Sequence, residues 1–293
     1  MSSSTAASET APASDTARDG TTQDGPGPGH DGTADTVTVV REGGLAVVTL
    51  RRATAANALD VDLKTGLLDA FRALGADDTV RAVLLAAEGG NFCVGQDLGE
   101  HAATLAADPA HAMDTVGEHY NPLLAAISAI RVPVVVALQG ACVGAGLGIA
   151  LAADIRVAGE GARFATAFTA IGLASDSGLT RTLVDAVGAS RASGLILLGD
   201  RFTATDAQAW GIVHRVVPDG DLPAEARKLA KRLAEGPTAG YAAAKALIRA
   251  ALPSLGDALE RERVAAQALG ATADHRAAVD AFLAKQRPTF AGH

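Results

Sequence analysis

A glycine-rich turn between a buried strand and a helix is the feature of this sequence best suited to bind an anion. The apolar run Pro133 to Leu138 predicts the strand, and an alanine-rich helix is predicted to follow the glycines at 140, 144, 146 and 148. A helix that begins on such a turn points unpaired N–H groups and the positive end of its dipole at one place. The turn therefore suits an anion or a developing oxyanion, although its glycines could also serve only close packing.

Three other motifs compete for the same turn. Gly140 to Gly144 has the spacing of a nucleophile elbow with Cys142 as the nucleophile, which would require His214 or His275 as its base. A dinucleotide-binding fingerprint fails, because Ile149 stands where the third glycine belongs. A P-loop is excluded, since no Gly-Lys-Ser/Thr sequence follows.

A second glycine-bearing loop follows another buried strand. The run Arg81 to Ala87 predicts that strand, and the loop occupies residues 88–98. A strand, a glycine loop and a helix thus occur twice along the chain. Two such loops can supply two backbone donors to one oxygen.

Asp176 is a candidate acid or base in a third loop, which leads into a helix predicted to end at Gly188. Phe168, Ile171 and Leu173 could supply an apolar wall that raises the pKa of this carboxyl group. Asp176 also stands where a helix N-cap belongs, so capping is the alternative explanation for this residue.

The remaining sequence predicts an α/β protein. Two apolar runs around residues 41–44 indicate a hairpin, and Asp60 and Gly75 bound an amphipathic helix. Short strands are predicted after Asp154, and the chain then alternates helices with one strand, Ile212 to Val217. The last predicted helices are near residues 224–234, 239–252, 258–269 and 273–284.

Composition limits the functions available to the chain. Its 293 residues are 48% hydrophobic and carry a formal net charge of −8, which permits a sizeable core and disfavours nucleic acid as a partner. Residues 1–36 are rich in small, polar and acidic residues and predict a disordered tail. Without a membrane-length apolar run or a leader-like start, a cytoplasmic protein is expected. Cys93 and Cys142 lack metal-site spacing, so no metal is expected.

A set of motifs between residues 37 and 291 resembles the enoyl-CoA hydratase/isomerase (crotonase) superfamily. The motifs occur in the family's order and spacing. They are Asn57-Ala-Leu, Phe92-Cys-Val-Gly-Gln-Asp-Leu98, Gln139-Gly-Ala-Cys-Val-Gly-Ala-Gly, Ala153-Asp-Ile155, Phe164, Leu198-Gly-Asp-Arg-Phe, Ala209-Trp-Gly-Ile-Val and Phe282-Leu-Ala-Lys-Gln-Arg-Pro-Thr-Phe290.

The resemblance implies a crotonase-like spiral of ββα units over residues 37–235. It also implies a helical C-terminal region, residues 236–293, through which the chains assemble as a homotrimer or homohexamer. Family members bind acyl-CoA thioesters and hold the thioester oxygen with two main-chain N–H groups, those of Gln96 and Ala145 by motif position. The coenzyme A belongs to the substrate, so no separate cofactor is expected.

Within the superfamily, the chain looks most like the 1,2-epoxyphenylacetyl-CoA isomerases of phenylacetate breakdown. Hydratases use two glutamates, whose positions correspond here to Gly148 and Phe168. Neither residue can transfer a proton. Asp176 stands where the isomerases carry their catalytic aspartate, and the resemblance therefore makes it the proton shuttle.

The resulting prediction is isomerisation of an acyl-CoA through a thioester enolate. Because the oxygen would be held by main-chain groups, Gln96→Ala is expected to cost little activity. The alternatives are an enoyl-CoA hydratase, a thioester hydrolase and a catalytically silent CoA-binding or scaffold protein. The residues predicted to bind substrate are Arg52, Gly95, Gln96, Asp97, Leu98, Gly99, Gly144, Ala145, Phe168 and Lys285. Arg51, Arg52 and Lys285 are the candidates for the CoA phosphates, and Asp97 is also expected to bond the amides of its own turn.

Overall fold

The computed structural model describes residues 36–250 and 255–293. The strands are β1 Val37–Glu42, β2 Leu45–Leu50, β3 Ala82–Ala87, β4 Val134–Leu138, β5 Ala141–Val143, β6 Ile155–Gly159, β7 Arg163–Ala165, β8 Phe202–Thr203 and β9 Arg215–Val217. The helices are α1 Val61–Gly75, α2 Leu98–Ala107, α3 Asn121–Ala129, α4 Ala145–Ala152, α5 Leu179–Leu198, α6 Ala204–Ala209, α7 Leu222–Ala234, α8 Thr238–Arg249, α9 Leu255–Gly270 and α10 Ala273–Leu283.

Two sheets organise this part of the chain. The larger has the order β1-β2-β3-β4-β6-β9, and the smaller has the order β5-β7-β8. The predicted hairpin is confirmed, since β1 pairs antiparallel with β2 from Val37–Leu50 to Glu42–Leu45. The other pairings of the larger sheet are parallel, so the loops after β3 and β4 leave the same edge.

The larger sheet is covered on both faces. One buried cluster contains the α1 face predicted from the sequence, including Leu63, Leu67 and Phe71, together with residues of α3 and α4. The other cluster packs Leu222, Ala226 and Leu229 of α7 on the opposite face. The side chain of Asp60 accepts a hydrogen bond from Leu63 N, which confirms it as the N-cap of α1.

The structure differs from the sequence prediction in several short segments. The glycine turn contains strand β5, and the unpredicted two-residue strand β8 completes the smaller sheet. A π-helical turn, Val116–Tyr120, immediately precedes α3. The helix after Asp176 continues as α5 through a kink at Gly188, whose φ is +75°.

The predicted disordered tail lies outside the described residues, apart from Thr36, whose carbonyl oxygen accepts a hydrogen bond from Arg51 N at 2.7 Å. The division between a core of residues 37–235 and a C-terminal region of residues 236–293 stays a prediction. Across residues 36–250 and 255–293, each helix is too short or too polar to span a bilayer.

Candidate active site

The two glycine-bearing loops lie side by side at the edge of the larger sheet. Cys93 and Cys142 form a parallel bridge, in which Cys93 N donates to Ala141 O at 3.1 Å and Val143 N donates to Cys93 O at 2.9 Å. The first loop therefore lies against β5 through a single parallel β-bridge. This pairing fixes the position of Gln96, three residues on, relative to Ala145.

Main-chain pairing leaves the N–H groups of Gln96 and Ala145 available to a ligand. Leu59 N donates to Gly95 O at 2.8 Å and Asp97 N donates to Leu59 O at 3.1 Å, so the Gln96 N–H points away from Leu59. Ala145 is the first residue of α4 and has no intrahelical acceptor. Neither N–H has a hydrogen-bond acceptor within the described part of the chain. Such groups are rare in protein interiors, and Ala145 is buried.

Glycine is required where the loops meet. Gly95 has a φ of +89°, and a Cβ there would lie 3.0 Å from Val143 O and 3.5 Å from Ala145 N. Gly144 has a φ of +57°, and a Cβ there would lie 3.9 Å from the Phe168 ring. A larger residue at position 95 would separate the two loops, and the predicted site glycines therefore have a geometric role.

Asp97 holds the loop to α2, as expected from its turn position. Its Oδ1 accepts a hydrogen bond from Glu100 N at 3.0 Å, and its Oδ2 lies 2.7 Å from Arg52 Nη1. The Glu100 amide and the Arg52 guanidinium lower the pKa of this carboxyl group. Arg52 also pairs with Asp60 at 2.7 Å. Two carboxylates thus occupy Arg52, and its predicted contact with CoA phosphate stays a prediction.

Asn57 supports the first loop from beneath and was not among the predicted site residues. It is fully buried, and its Nδ2 donates to Glu88 O and Asn91 O, both at 2.9 Å. Its Oδ1 accepts from Arg52 N at 2.9 Å. The sequence indicated this residue through the Asn57-Ala-Leu motif. In the structure Asn57 has a φ of +54°, a conformation that asparagine tolerates.

Asp176 is half-buried and does not cap a helix. The N-cap of α5 is Gly178, and the helix start has no side-chain cap. The Asp176 carboxylate instead accepts a hydrogen bond from Ser177 Oγ at 2.7 Å. Burial raises the pKa of Asp176, and the bond from Ser177 partly opposes that shift. The capping explanation is therefore wrong, and the role of Asp176 as a general base stays a prediction with which the raised pKa agrees.

Contacts on two sides connect Asp176 to the oxyanion loops. Ser177 packs on Gly148 of α4, the helix that begins at Ala145. On the other side, burial raises the pKa of Tyr120 and the nearby Asp176 carboxylate raises it further. The Tyr120 hydroxyl donates to Gln96 Oε1. Tyr120 thus lies near Asp176 and bonds Gln96, while Ser177 packs on the helix that begins at Ala145; the catalytic roles of Gln96, Ala145 and Asp176 stay predictions.

Gly148 has no room for a side chain. A Cβ there would lie 2.6 Å from Ser177 Cβ and 2.7 Å from Ser177 O. Phe168 is buried, and its ring faces Gly144 as an apolar wall. Neither of the positions that correspond to the hydratase glutamates therefore offers an acid.

The nucleophile-elbow interpretation of Cys142 is wrong. Cys142 lies within β5 and is fully buried, and burial raises the pKa of its thiol well above the usual value. Burial likewise raises the pKa of Cys93 to about 12. Both cysteines are therefore neutral packing residues.

The remaining predicted site residues are more exposed. Leu98 and Gly99 begin α2 at the outer side of the loop, and Lys285 is exposed after α10. Their contacts with substrate stay predictions. Lys64 was not anticipated, although its fully buried side chain reaches Gln96 Oε1 at 3.4 Å. The sequence did contain an indication that Lys64 is buried. Lys64 precedes Leu67 by three residues and Leu68 by four, so it lies on the buried face of α1.

Comparison with known proteins agrees with this arrangement. The family described as Enoyl-CoA hydratase/isomerase matches residues 40–293. The chain is 36% identical over 252 residues to 1,2-epoxyphenylacetyl-CoA isomerase of Escherichia coli, covering 86% of this chain and 96% of that one. It is 41% identical over 251 residues to a probable enoyl-CoA hydratase of Rhodobacter capsulatus, covering 85% and 95% respectively.

A solved structure assigned to the enoyl-CoA hydratases/isomerases, from Mycobacterium abscessus, superposes with a TM-score of 0.86 at 57% identity. The match covers 88% of this chain and all of that one. The chain belongs to the enoyl-CoA hydratase/isomerase family and has the crotonase fold. It is therefore an enzyme of that family, as the sequence motifs predicted.

Proposed function

We propose that this enzyme isomerises an acyl-CoA by moving a double bond or opening a ring, with Asp176 as the proton shuttle. The observation that carries the proposal is the steric closure of position 148 against Ser177, beside a half-buried Asp176. A site with one placed carboxylate can move a proton from one carbon to another. Adding water with two separate carboxylates would need an acid that positions 148 and 168 do not provide.

The proposed chemistry starts with proton removal from a carbon alpha or gamma to the thioester. Asp176 accepts that proton, and the electron pair of the C–H bond moves through the conjugated system to the thioester oxygen. The N–H groups of Gln96 and Ala145 stabilise the enolate oxygen, at roughly 2.7 to 4 kcal/mol for each donor. In double-bond movement, Asp176 then returns the proton to whichever of the alpha and gamma carbons did not lose it, and the double bond shifts by this route. In ring opening the enolate electron pair instead breaks the adjacent ring C–O bond, and Asp176 returns the proton to the freed ring oxygen. The atoms of the substrate are conserved in both cases.

The raised pKa of Asp176 suits both halves of this reaction. A more basic carboxylate takes a proton from carbon more readily, and the protonated form remains acidic enough to return it. Phe168 provides an apolar wall that keeps the site dry and strengthens the bonds to the enolate oxygen. The two N–H groups do not titrate, so they serve at any pH at which the protein is folded.

A hydratase is the second candidate, because a relative at 41% identity is a probable enoyl-CoA hydratase. On that alternative, and on the hydrolase alternative, Asp176 would activate a water. The silent scaffold is disfavoured by two available N–H groups and a buried carboxylate in one place, since each costs stability that a purely structural protein does not need.

Mass spectrometry in water enriched in oxygen-18 separates these candidates. The full chain would be incubated with a panel of enoyl-, dienoyl- and epoxyacyl-CoA thioesters, and the products separated by chromatography. The proposal predicts a product of unchanged mass and different retention, free of oxygen-18. A gain of one labelled water would favour the hydratase, and labelled free acid with CoA would favour the hydrolase. Either result would contradict the proposal.

The proposal includes a CoA thioester as the substrate partner, with no cofactor beyond its coenzyme A. It also includes assembly as a homotrimer or homohexamer, because C-terminal helices leave apolar residues such as Ile248 and Leu283 largely exposed. Sedimentation equilibrium at micromolar concentration should give three or six chains, and a monomer would contradict this. A cytoplasmic location stays a prediction.

A further inference from the structure

We propose that Tyr120 and Lys64 are positioning residues for the main-chain N–H of Gln96, which they orient by holding the Gln96 side chain. The inference rests on the proposed oxyanion role of that N–H. It concerns residues that do not touch the substrate in the proposed mechanism. The contacts that support it come from three separate elements of the fold.

The Gln96 side chain is held at both ends of its amide. Its Oε1 accepts hydrogen bonds from the Tyr120 hydroxyl and from Lys64 Nζ, the latter at 3.4 Å. Its Nε2 donates to Glu100 Oε1 at 3.3 Å and to Asp97 O at 3.5 Å. These partners come from α1, from α2 and its N-cap, and from the π-helical turn. Partners on both ends of the amide restrict the conformations open to the Gln96 side chain.

Lys64 is satisfied within this group. Its side chain is 0% exposed, and its Nζ donates to Thr115 Oγ1 at 2.8 Å and to Glu100 Oε1 at 3.1 Å. With Gln96 Oε1, the ammonium group has an acceptor for each of its three hydrogens. Its Nζ also lies 5.4 Å from the centroid of the Tyr120 ring. These three acceptors compensate the burial of the ammonium group.

Stability alone does not account for a buried lysine. Replacing a buried charged group and its partners with apolar residues of similar volume is often neutral or stabilising, so a role in geometry is a reason to keep Lys64 buried beside the 30%-exposed Glu100. Tyr120 lies on a π-helical turn, and such turns occur frequently at functional sites. This also favours a functional role for the cluster. The cluster lies directly beneath a loop whose N–H groups are available to a ligand.

The geometry explains how a side chain can orient a main-chain group. The bridge to Leu59 holds the peptides on either side of Gln96 from one direction, and Tyr120 with Lys64 holds its side chain from another. Rotating the Gln96 peptide would break either the hydrogen bonds with Leu59 or those with Tyr120 and Lys64. A preorganised donor is most valuable in the transition state, when charge reaches the thioester oxygen. Tyr120 stays a neutral donor, because burial and the Asp176 carboxylate raise its pKa.

The inference reverses the expectation for Gln96→Ala. Gln96→Ala retains the main-chain N–H, yet its kcat should fall by about tenfold with little change in KM. Tyr120→Phe should show a similar fall in kcat. The double variant should be no slower than Gln96→Ala alone, because Tyr120 acts through Gln96. Tyr241→Phe is the matched control, since Tyr241 lies on α8 and packs against the second core cluster. It should keep parental kinetics.

A spectroscopic measurement tests the same inference without turnover. The probe is butyryl-CoA with a carbon-13 thioester carbonyl. Its acyl chain has no double bond, so the enzyme can bind it but cannot isomerise or hydrate it. Its carbonyl stretch, measured by infrared difference spectroscopy, should move to lower frequency on binding to the parent protein. Tyr120→Phe and Gln96→Ala should each return the band part of the way to its free position. Tyr241→Phe should leave the bound band unchanged.

Three results would contradict the inference. They are a parental kcat and carbonyl band for Gln96→Ala, the same for Tyr120→Phe, or equal losses from Tyr120→Phe in the parent and Gln96→Ala backgrounds. Thermal unfolding of each variant identifies loss of fold, and the mild Gln96→Ala variant decides the matter if Tyr120→Phe does not fold. An unshifted carbonyl band in the parent would instead overturn the proposed function, and the inference with it.

Discussion

Asp176 shows how the environment of a single residue decides between two functions. A carboxylate just before a helix is usually a cap, but here Gly178 is the N-cap of α5 and the Asp176 carboxylate accepts a hydrogen bond from Ser177 Oγ. Burial raises the pKa of Asp176, as a proton shuttle requires. The role of Asp176 was predicted from a motif. Its burial and its bond to Ser177 depend on distant packing, which the local sequence does not encode.

Ser177→Ala should move the acidic limb of the pH profile of kcat/KM to higher pH. The Ser177 hydroxyl donates to the Asp176 carboxylate and favours the charged form, so its removal raises the pKa of Asp176 further. The base is active when unprotonated, and activity is therefore lost as the pH falls through that raised pKa. Ser193→Ala, which removes a hydroxyl bonded to Ala189 O on α5, is the control and should leave the limb in place. A limb that stayed or moved to lower pH in Ser177→Ala would contradict this account.

At the scale of elements, the site depends on the start of α4 beside the loop after β3. The N-terminus of α4 supplies one N–H, and the bridge between Cys93 and Cys142 brings the second loop alongside it. Because these donors belong to the main chain, side-chain substitutions at Ala145 are a weak test of them. A substitution that removes the N–H itself is a strong one.

Ala145→Pro should greatly reduce turnover while the protein stays folded. Proline lacks the N–H, and the first position of a helix is the one where proline is best tolerated. Loss of one oxyanion donor predicts a fall in kcat of about 10² to 10³. Ala145→Gly keeps the N–H and is the control, which should retain most activity. Steady-state kinetics with circular dichroism would decide. A folded Ala145→Pro variant with parental kcat would remove Ala145 from the mechanism.

The sequence was most informative for long elements and least informative for short ones. Helix α1 was predicted because Asp60 caps it and its apolar residues recur at helical spacing. Strands β5 and β8 have three and two residues, too few to show a period of two, and they depend on pairing with β7. The π-helical turn before α3 has no composition signal of its own.

At the scale of the whole molecule, Asp154 pairs with two cations of α8, which also donate to the main-chain oxygens of Ser128, Val132 and Ala152. Asp154 Oδ2 lies 2.7 Å from Lys245 Nζ, and its Oδ1 lies 2.8 Å from Arg249 Nη2. The same Asp154 accepts a hydrogen bond from Val134 N, at the start of the central strand β4. The beginning of the C-terminal helical region is therefore connected to the strand that leads into the glycine-rich turn.

Asp154→Ala should lower the free energy of unfolding by about 3 kcal/mol, because it leaves the Lys245 side chain, 9% exposed, without its counter-ion. Urea unfolding would measure the change. Asp185→Ala is the control, since its partner Arg181 is 75% exposed and such a pair contributes about 0 to 1 kcal/mol. Equal losses in the two variants would show that the contact at Asp154 has no special role.

The central claim is that Asp176 is the base of an isomerase, and Asp176→Asn tests it most directly. Asparagine keeps the shape of the side chain but cannot accept the proton. On the thioester that the parent enzyme isomerises, kcat should fall by about 10²-fold or more, while the midpoint of thermal unfolding stays near the parental value. Asp206→Asn, a change in the capping box of α6, is the matched control and should keep parental kcat. Near-parental turnover by folded Asp176→Asn would contradict the mechanism.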